Sequence, residues 1–139
     1  MRALYLILLL SLSACLPATD ELASLASQQF RESGEREESW LHDGTLHSSS
    51  ALEWQKASFQ NKRATSADFL LALNEQGRLS IDISDNESLK FHSEELTNKL
   101  NNEFKIIGPA IENTKKYKSI MVSEAVVLIA SQSGWLQNV

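Results

Sequence analysis

Cysteine is almost missing from this sequence: it occurs once in 139 residues, at Cys15. One thiol cannot form a disulfide within the chain, and it cannot supply the several cysteine ligands of a structural zinc site. Glycine is also scarce, with five residues that never cluster, which excludes the glycine-rich loops that cradle phosphate groups. A fold of this length must therefore be held together by its hydrophobic core.

The apolar start of the sequence is too short to cross a membrane. Its core, 3–12, covers only about half of a bilayer interior of about 30 Å, because a helix rises about 1.5 Å per residue. We therefore expect no permanent transmembrane helix there. A positive charge at Arg2, an apolar middle and the small residues Ser13 and Ala14 are instead the layout of an export signal.

The end of this leader, Leu12-Ser13-Ala14-Cys15, resembles the lipobox of bacterial lipoproteins, in which an aliphatic residue, a small residue and Ala or Gly precede an obligatory cysteine. The resemblance covers only residues 1–15. It implies that the leader is cut before Cys15, that the thiol receives a diacylglycerol, and that the new amino terminus is acylated as well. Two alternatives stay open: a plain secreted protein with an unrelated cysteine, and a short buried N-terminal helix.

The resemblance also carries an expectation about location. Leu16 follows the cysteine, and by similarity to the Gram-negative sorting pattern the absence of Asp at this position favours the outer membrane, facing the periplasm. A Gram-positive host would place the same anchor on the cell surface, and the sequence leaves both hosts open. Stable attachment requires two or more acyl chains, each stabilised by about 0.8 kcal/mol per buried methylene.

The mature chain is acidic. Removal of the leader takes Arg2 with it and leaves 12 of the 13 basic residues. Against 18 acidic residues, this gives the mature chain a formal charge of −6. Nucleic-acid binding depends on neutralising phosphates, so we expect no nucleic-acid partner. The same charge argues against a polybasic grip on anionic lipids, and the lipid on Cys15 is expected to anchor the protein alone.

Composition divides the chain into three parts: a signal peptide over 1–14, a lipidated N-terminus and tether over 15–48, and a helical domain over 49–139. The tether is rich in Ser and Glu and poor in large apolar side chains, as flexible segments are. Its pattern also allows a short helix over 20–31.

The first strong helix signal is a capping box, formed by Ser50 and, three residues later, Glu53. Good helix formers continue without Gly or Pro until Gly77, which is expected to end the helix in a left-handed conformation. The sequence predicts either one long bent helix over 50–75 or two helices that meet near Ala64.

The alternation of apolar and polar residues over 78–83 is typical of a strand, but no partner strand is evident, so we predict an extended connector. A second capping box, Ser84 with Glu87, starts an amphipathic helix over about 85–104. Its predicted inner face consists of Leu89, Leu96, Leu100 and Phe104.

Two further helices complete the prediction. Pro109 suits the first position of a short polar helix over 109–118. The stretch 121–130 is apolar nearly all round, including Val127 and Leu128, and such a helix is expected at the centre of a bundle, capped by Ser119 or Ser123 and ended by Gly134 with Trp135 and Leu136 folding back. The fold class is therefore all-α, a small bundle of four to five helices.

Known catalytic and metal-binding patterns are missing. The sequence has no G-x-S-x-G elbow, no S-x-x-K and no H-E-x-x-H. Its histidines, His42, His47 and His92, are not spaced to converge on a metal, so we predict no metal and no cofactor. The one basic run, 115–118, is interpreted as a solvated helix end rather than a contact for lipid headgroups or a glycan.

One constellation of polar residues is harder to assign. Trp54, Asn61, Thr65 and Asp68 are spaced by seven, four and three residues and would share a stripe on a continuous helix, with the segment 43–47 lying against it. The favoured interpretation is a structural network of hydrogen bonds. The alternative is a polar cleft for a ligand.

These features predict a membrane-anchored envelope lipoprotein without enzymatic activity, which docks onto a protein partner in the envelope. The alternative is a periplasmic small-ligand-binding or hydrolytic protein that uses the polar stripe with His42 or His47. An exposed apolar surface would favour the first and an open cleft lined by the stripe the second.

Overall fold

The computed structural model describes residues 39–137. A 3-10 turn at Ser39–Leu41 precedes five helices, and no strand forms within these residues. The prediction of an all-α fold is confirmed. The helices are α1 (Ala51–Lys56), α2 (Phe59–Glu75), α3 (Asn86–Glu103), α4 (Ala110–Tyr117) and α5 (Val122–Gln132). The predicted leader, the lipidation site Cys15 and the optional helix over 20–31 lie outside the described residues.

The first predicted helix is two helices, and they separate earlier than expected. Ser50 and Glu53 form the predicted capping box at the start of α1. Ala57 then adopts an extended backbone, and Ser58 caps α2 by accepting a hydrogen bond from the Asn61 amide. The predicted break near Ala64 is wrong. The helices separate at Ala57 and Ser58, about two turns earlier, because Ser58 caps α2.

Gly77 ends α2 in the left-handed conformation that the sequence predicts. Gly77 has φ +64°, and the amides of Gly77 and Arg78 donate to the carbonyls of Asn74 and Leu73 at 2.9 Å each, as in a Schellman cap. The residues that follow, 78–83, form no strand, and Leu79 makes only an isolated antiparallel bridge with Leu136. The prediction of a connector rather than a sheet strand is therefore confirmed.

Helix α3 begins one residue later than the predicted box. Asp85, not Ser84, is its cap, and the Asp85 carboxylate accepts from the Ser88 amide at 2.8 Å. The predicted capping box is wrong because Asp85, itself a good cap residue, occupies the cap position one residue later. The predicted inner face is buried, as its four members show: Leu89, Leu96, Leu100 and Phe104.

Helix α5 lies at the edge of the core, not at its centre. Its inner residues are buried as predicted, but Val127 and Leu128 are 40% and 54% exposed. The predicted serine cap is also wrong, since Met121 occupies the cap position without a side-chain bond. The first amide of the helix, that of Val122, is instead satisfied by the carbonyl of Ser49 at 3.0 Å.

The core extends closer to the amino terminus than residue 49. Trp40 and Leu46, in the segment assigned to the tether, are buried within the same apolar cluster as the helices. Trp54 lies in that cluster with no exposed surface. Helix α2 packs against α3 and against the 3-10 turn, α3 packs against α5, and α1 contacts α4.

The helix caps make stability sensitive to acid. Hydrogen bonds from Ser50 lower the pKa of Glu53 below 4.5, and hydrogen bonds from Ser88 lower that of Asp85 below 3.8. A carboxylate with a depressed pKa in the folded state stabilises the fold above its unfolded pKa, and this contribution is lost as the pH falls through the folded value. We expect the urea midpoint to fall as the pH is lowered below 4.5.

Glu53→Gln should show a smaller loss of urea midpoint between neutral pH and pH 3.8 than the wild type. Glu75→Gln, which changes an exposed glutamate at the far end of α2, should retain the wild-type loss. Equal losses in the wild type and Glu53→Gln would show that the cap does not couple to pH.

Candidate functional site

Three members of the predicted polar stripe lie along one side of α2 and bind the segment that precedes α1. We call this segment, 43–47, the strap. Asn61, Thr65 and Asp68 contact Thr45, Leu46 and His47 in that order, so the strap runs parallel to the helix. The spacing of four and three residues places all three side chains on one face.

Asn61 and Thr65 hold the strap through a continuous set of hydrogen bonds. The Thr45 amide donates to Asn61 Oδ1 at 3.0 Å, and Asn61 Nδ2 donates back to Thr45 Oγ1 at 2.8 Å. The Thr65 hydroxyl donates to Asn61 Oδ1 and accepts from the buried Leu46 amide, both at 3.2 Å. Each polar group is satisfied by another group of the same chain, as buried polar networks require.

The His47–Asp68 pair completes this attachment. His47 Nε2 lies 2.8 Å from Asp68 Oδ2, and the His47 ring packs edge-on against Phe69 with centroids 5.6 Å apart. Both members of the pair are partly exposed. A histidine–carboxylate pair can move a proton, and here the pair links the strap to α2.

A glycine permits the strap to approach α2 closely. A Cβ on Gly44 would lie 2.9 Å from the Thr65 nitrogen and 3.0 Å from the Ala64 carbonyl carbon, and it would overlap the Asp68 carboxylate. Ala64 is itself fully buried. Small residues on both sides therefore set the distance at which the polar pairs form.

Trp54 does not belong to this site. The break between α1 and α2 removes it from the stripe, and its indole Nε1 donates to Asn101 Oδ1 on α3 at 3.0 Å. The ammonium of Lys62 lies 5.8 Å from the centre of the Trp54 ring, and partial burial lowers the pKa of Lys62. Trp54 thus joins α1 to α3 through its indole, and the hydrogen bonds that hold the strap come from α2.

The remaining histidines do not converge on the site. His42 is exposed, and the His92 ring packs between Phe91 and Trp135, with centroid distances of 5.2 and 5.6 Å. Within residues 39–137, no group of three or more His, Cys, Asp or Glu side chains is placed to hold a metal ion.

Two features of the surface were not visible in the sequence. The Arg63 guanidinium lies 5.4 Å from the Trp40 ring and 5.6 Å from the Phe59 ring, and it donates to Glu94 at 2.9 Å. Trp40 lies 23 positions before Arg63 and Phe59 lies four before it, and this spacing gives no sequence signal that the two rings contact the same guanidinium. This arginine fastens Trp40, and with it the start of the described chain, to α2 and α3.

The second feature is an open cleft of about 410 Å³ where α3 and α5 end. It contains one aliphatic side chain, and polar groups form the rest of the lining: Lys99, Asn102, Glu103, Ile129, Gln132 and Ser133. None of the predicted stripe residues lines this cleft, since Trp54 lies on α1 and the other three lie on α2.

No protein-family model, curated protein or solved structure matches this chain. Among the residues that the structure describes, no helix has both the length and the apolar composition needed to cross a membrane.

Proposed function

We propose that this protein is a lipid-anchored protein of the bacterial cell envelope whose helical domain binds a protein partner and catalyses no reaction. The lipobox-like sequence ending at Cys15 supports the anchor. The outer membrane, facing the periplasm, is the favoured location. A domain held at a membrane meets its partner at a raised effective concentration, so modest affinity suffices.

The observation that supports a role without catalysis is the mutual satisfaction of the polar stripe. Asn61 and Thr65 bond to each other and to the strap, and Asp68 pairs with His47 of the strap, whereas a binding or catalytic site needs polar groups that converge on free space. The stripe therefore favours a structural lock, and the exposed apolar side chains Val127 and Leu128 favour an interaction surface elsewhere.

The anchor is tested by mass spectrometry of the mature amino terminus. We expect cleavage before Cys15 and a lipid on its thiol, and we expect Cys15→Ser to yield soluble or uncleaved protein. Ala14→Gly is the matched control, because Gly also fits the lipobox pattern at that position, and it should keep both the lipid and the membrane fraction. A full-length chain with an unmodified thiol would refute the anchor.

The partner is sought by crosslinking in native membranes. A protein recovered with the wild type and lost with Cys15→Ser at equal abundance would support anchored docking. Recovery of the same protein with both forms would show that docking does not depend on the lipid.

A further inference from the structure

Positive charge is concentrated in one segment of an otherwise acidic domain. Residues 105–118 contain four lysines and one glutamate, a formal charge of +3. The other described residues, 39–104 and 119–137, contain six basic and eleven acidic side chains, a formal charge of −5. The segment that contains α4 is therefore basic although the total charge of the described residues is negative.

Helix α4 presents part of this charge together with an apolar side chain. Its inner side is formed by Asn113 and Tyr117, which are buried. Ile111, Lys115 and Lys118 are spaced by four and three residues, so they form one stripe on the outer side. The Ile111 side chain is 82% exposed, more than any other large apolar residue described.

The outer stripe is held in a fixed orientation by the contacts of the inner side. Asn113 Nδ2 donates to Gln55 Oε1 at 2.8 Å, and Asn113 Oδ1 accepts from Gln55 Nε2 and the Ile107 amide, both at 3.2 Å. The Tyr117 hydroxyl lies 3.0 and 3.1 Å from the carbonyl oxygens of Lys105 and Glu103. The stripe therefore faces outward without rearrangement of the helix.

We propose that the outer face of α4 is a second membrane contact, which lies on the surface of a bilayer that contains anionic lipids. An exposed isoleucine next to two lysines on one stripe matches the boundary between headgroups and acyl chains, where the apolar side chain enters and the ammonium groups stay with the lipid phosphates. The exposed Ile106, with Lys105 beside it, extends the same chemistry into the loop before α4.

This contact deepens the proposed function, since a lipid on Cys15 would hold the domain beside a bilayer. It also revises the expectation that the lipid anchors the protein alone, which was based on total charge. A lysine near an anionic surface contributes to binding even when distant acidic groups outnumber it, because charges beyond about 10 Å are largely screened at 0.1 M salt.

The test separates this contact from the lipid anchor. The chain carrying Cys15→Ser is produced without its first fourteen residues, and circular dichroism verifies its helical content. It is then mixed with vesicles of phosphatidylcholine alone or with phosphatidylglycerol, and the bound fraction is measured by sedimentation. We expect binding to the anionic vesicles that weakens as salt is added, and little binding to phosphatidylcholine alone.

Matched variants assign the binding to α4. Lys115→Ser with Lys118→Ser is expected to lower the vesicle partition coefficient roughly 30-fold. The same change at Lys56 and Lys90, exposed lysines on α1 and α3, should have little effect. Ile111→Ser should also weaken binding, whereas Leu128→Ser on α5 should not.

Two results would overturn the proposal. One is a folded chain that does not bind anionic vesicles at low salt. The other is an equal loss for the α4 pair and the control lysine pair, which would mean that total charge rather than this face determines binding. Since the tested chain has no lipid, neither result depends on whether Cys15 is acylated in the cell.

Discussion

Trp54→Ala is expected to remove about 3–5 kcal/mol of folding free energy, the usual cost of truncating a fully buried aromatic side chain. Trp54 has no exposed surface, its ring lies edge-on to Phe104 with centroids 6.4 Å apart, and its indole donates to Asn101. The substitution would leave a cavity at the junction of α1 and α3. The free energy of unfolding of a domain of this size is about 5–15 kcal/mol, so the substitution would remove much of its stability.

Urea unfolding followed by circular dichroism measures this effect. Trp54→Phe should cost less, because it keeps an aromatic ring in place, but it leaves the Asn101 amide oxygen without its donor. Phe91→Ala is the control for the loss of an aromatic side chain, since Phe91 is exposed and should change the free energy of unfolding by less than about 0.5 kcal/mol. Similar costs at Trp54 and Phe91 would contradict the assignment of Trp54 to the core.

Gly44→Ala is expected to destabilise the domain by about 1–3 kcal/mol through overpacking. The new Cβ would lie within 3.0 Å of backbone atoms of Ala64 and Thr65, and a helix backbone cannot move aside as a flexible side chain does. The strap must then lift from α2, so its hydrogen bonds to Asn61 and Thr65 should lengthen or break.

Hydrogen exchange distinguishes this local effect from general destabilisation. In Gly44→Ala the amides of Thr45 and Leu46 should lose protection before the amides of α3 do. Gly77→Ala is the matched control: its backbone is left-handed but its Cβ would meet nothing within 4 Å, so it should cost about 1–2 kcal/mol without affecting the strap. An unchanged strap in Gly44→Ala would refute the close approach.

The part of the site that the sequence could predict depends on one continuous helix. Helical spacing alone links Asn61, Thr65 and Asp68, and the small side chain of Ala64 beside them favours the approach of the strap. Trp54 was grouped with them wrongly, since the spacing of seven holds only if no break intervenes. Ser58 caps α2 and thereby ends the continuity between Trp54 and the other three residues. Sequence patterns alone do not distinguish Ser58 from nearby serines as a helix cap.

Local sequence signals predict where helices begin and end, but they do not predict how the helices pack against one another. Gly77, Gly134 and the box at Ser50 act within a few residues, so their effects were predictable. The edge position of α5 depends on which faces α2 and α3 offer, and composition along α5 alone contains no information about that. The same limit applies to Arg63, whose ring partners come from separate parts of the chain.

The backbone bridge between the start of α1 and the start of α5 has a consequence for how the domain folds. The amide of Ala51 donates to the carbonyl of Ile120 at 2.8 Å, and the amide of Val122 donates to that of Ser49 at 3.0 Å. Closing this bridge confines a loop of some seventy residues, and the entropy cost of that closure is met only when the segments between the two helix starts are already compact. We therefore expect the meeting of these two helix starts to be a late event in folding.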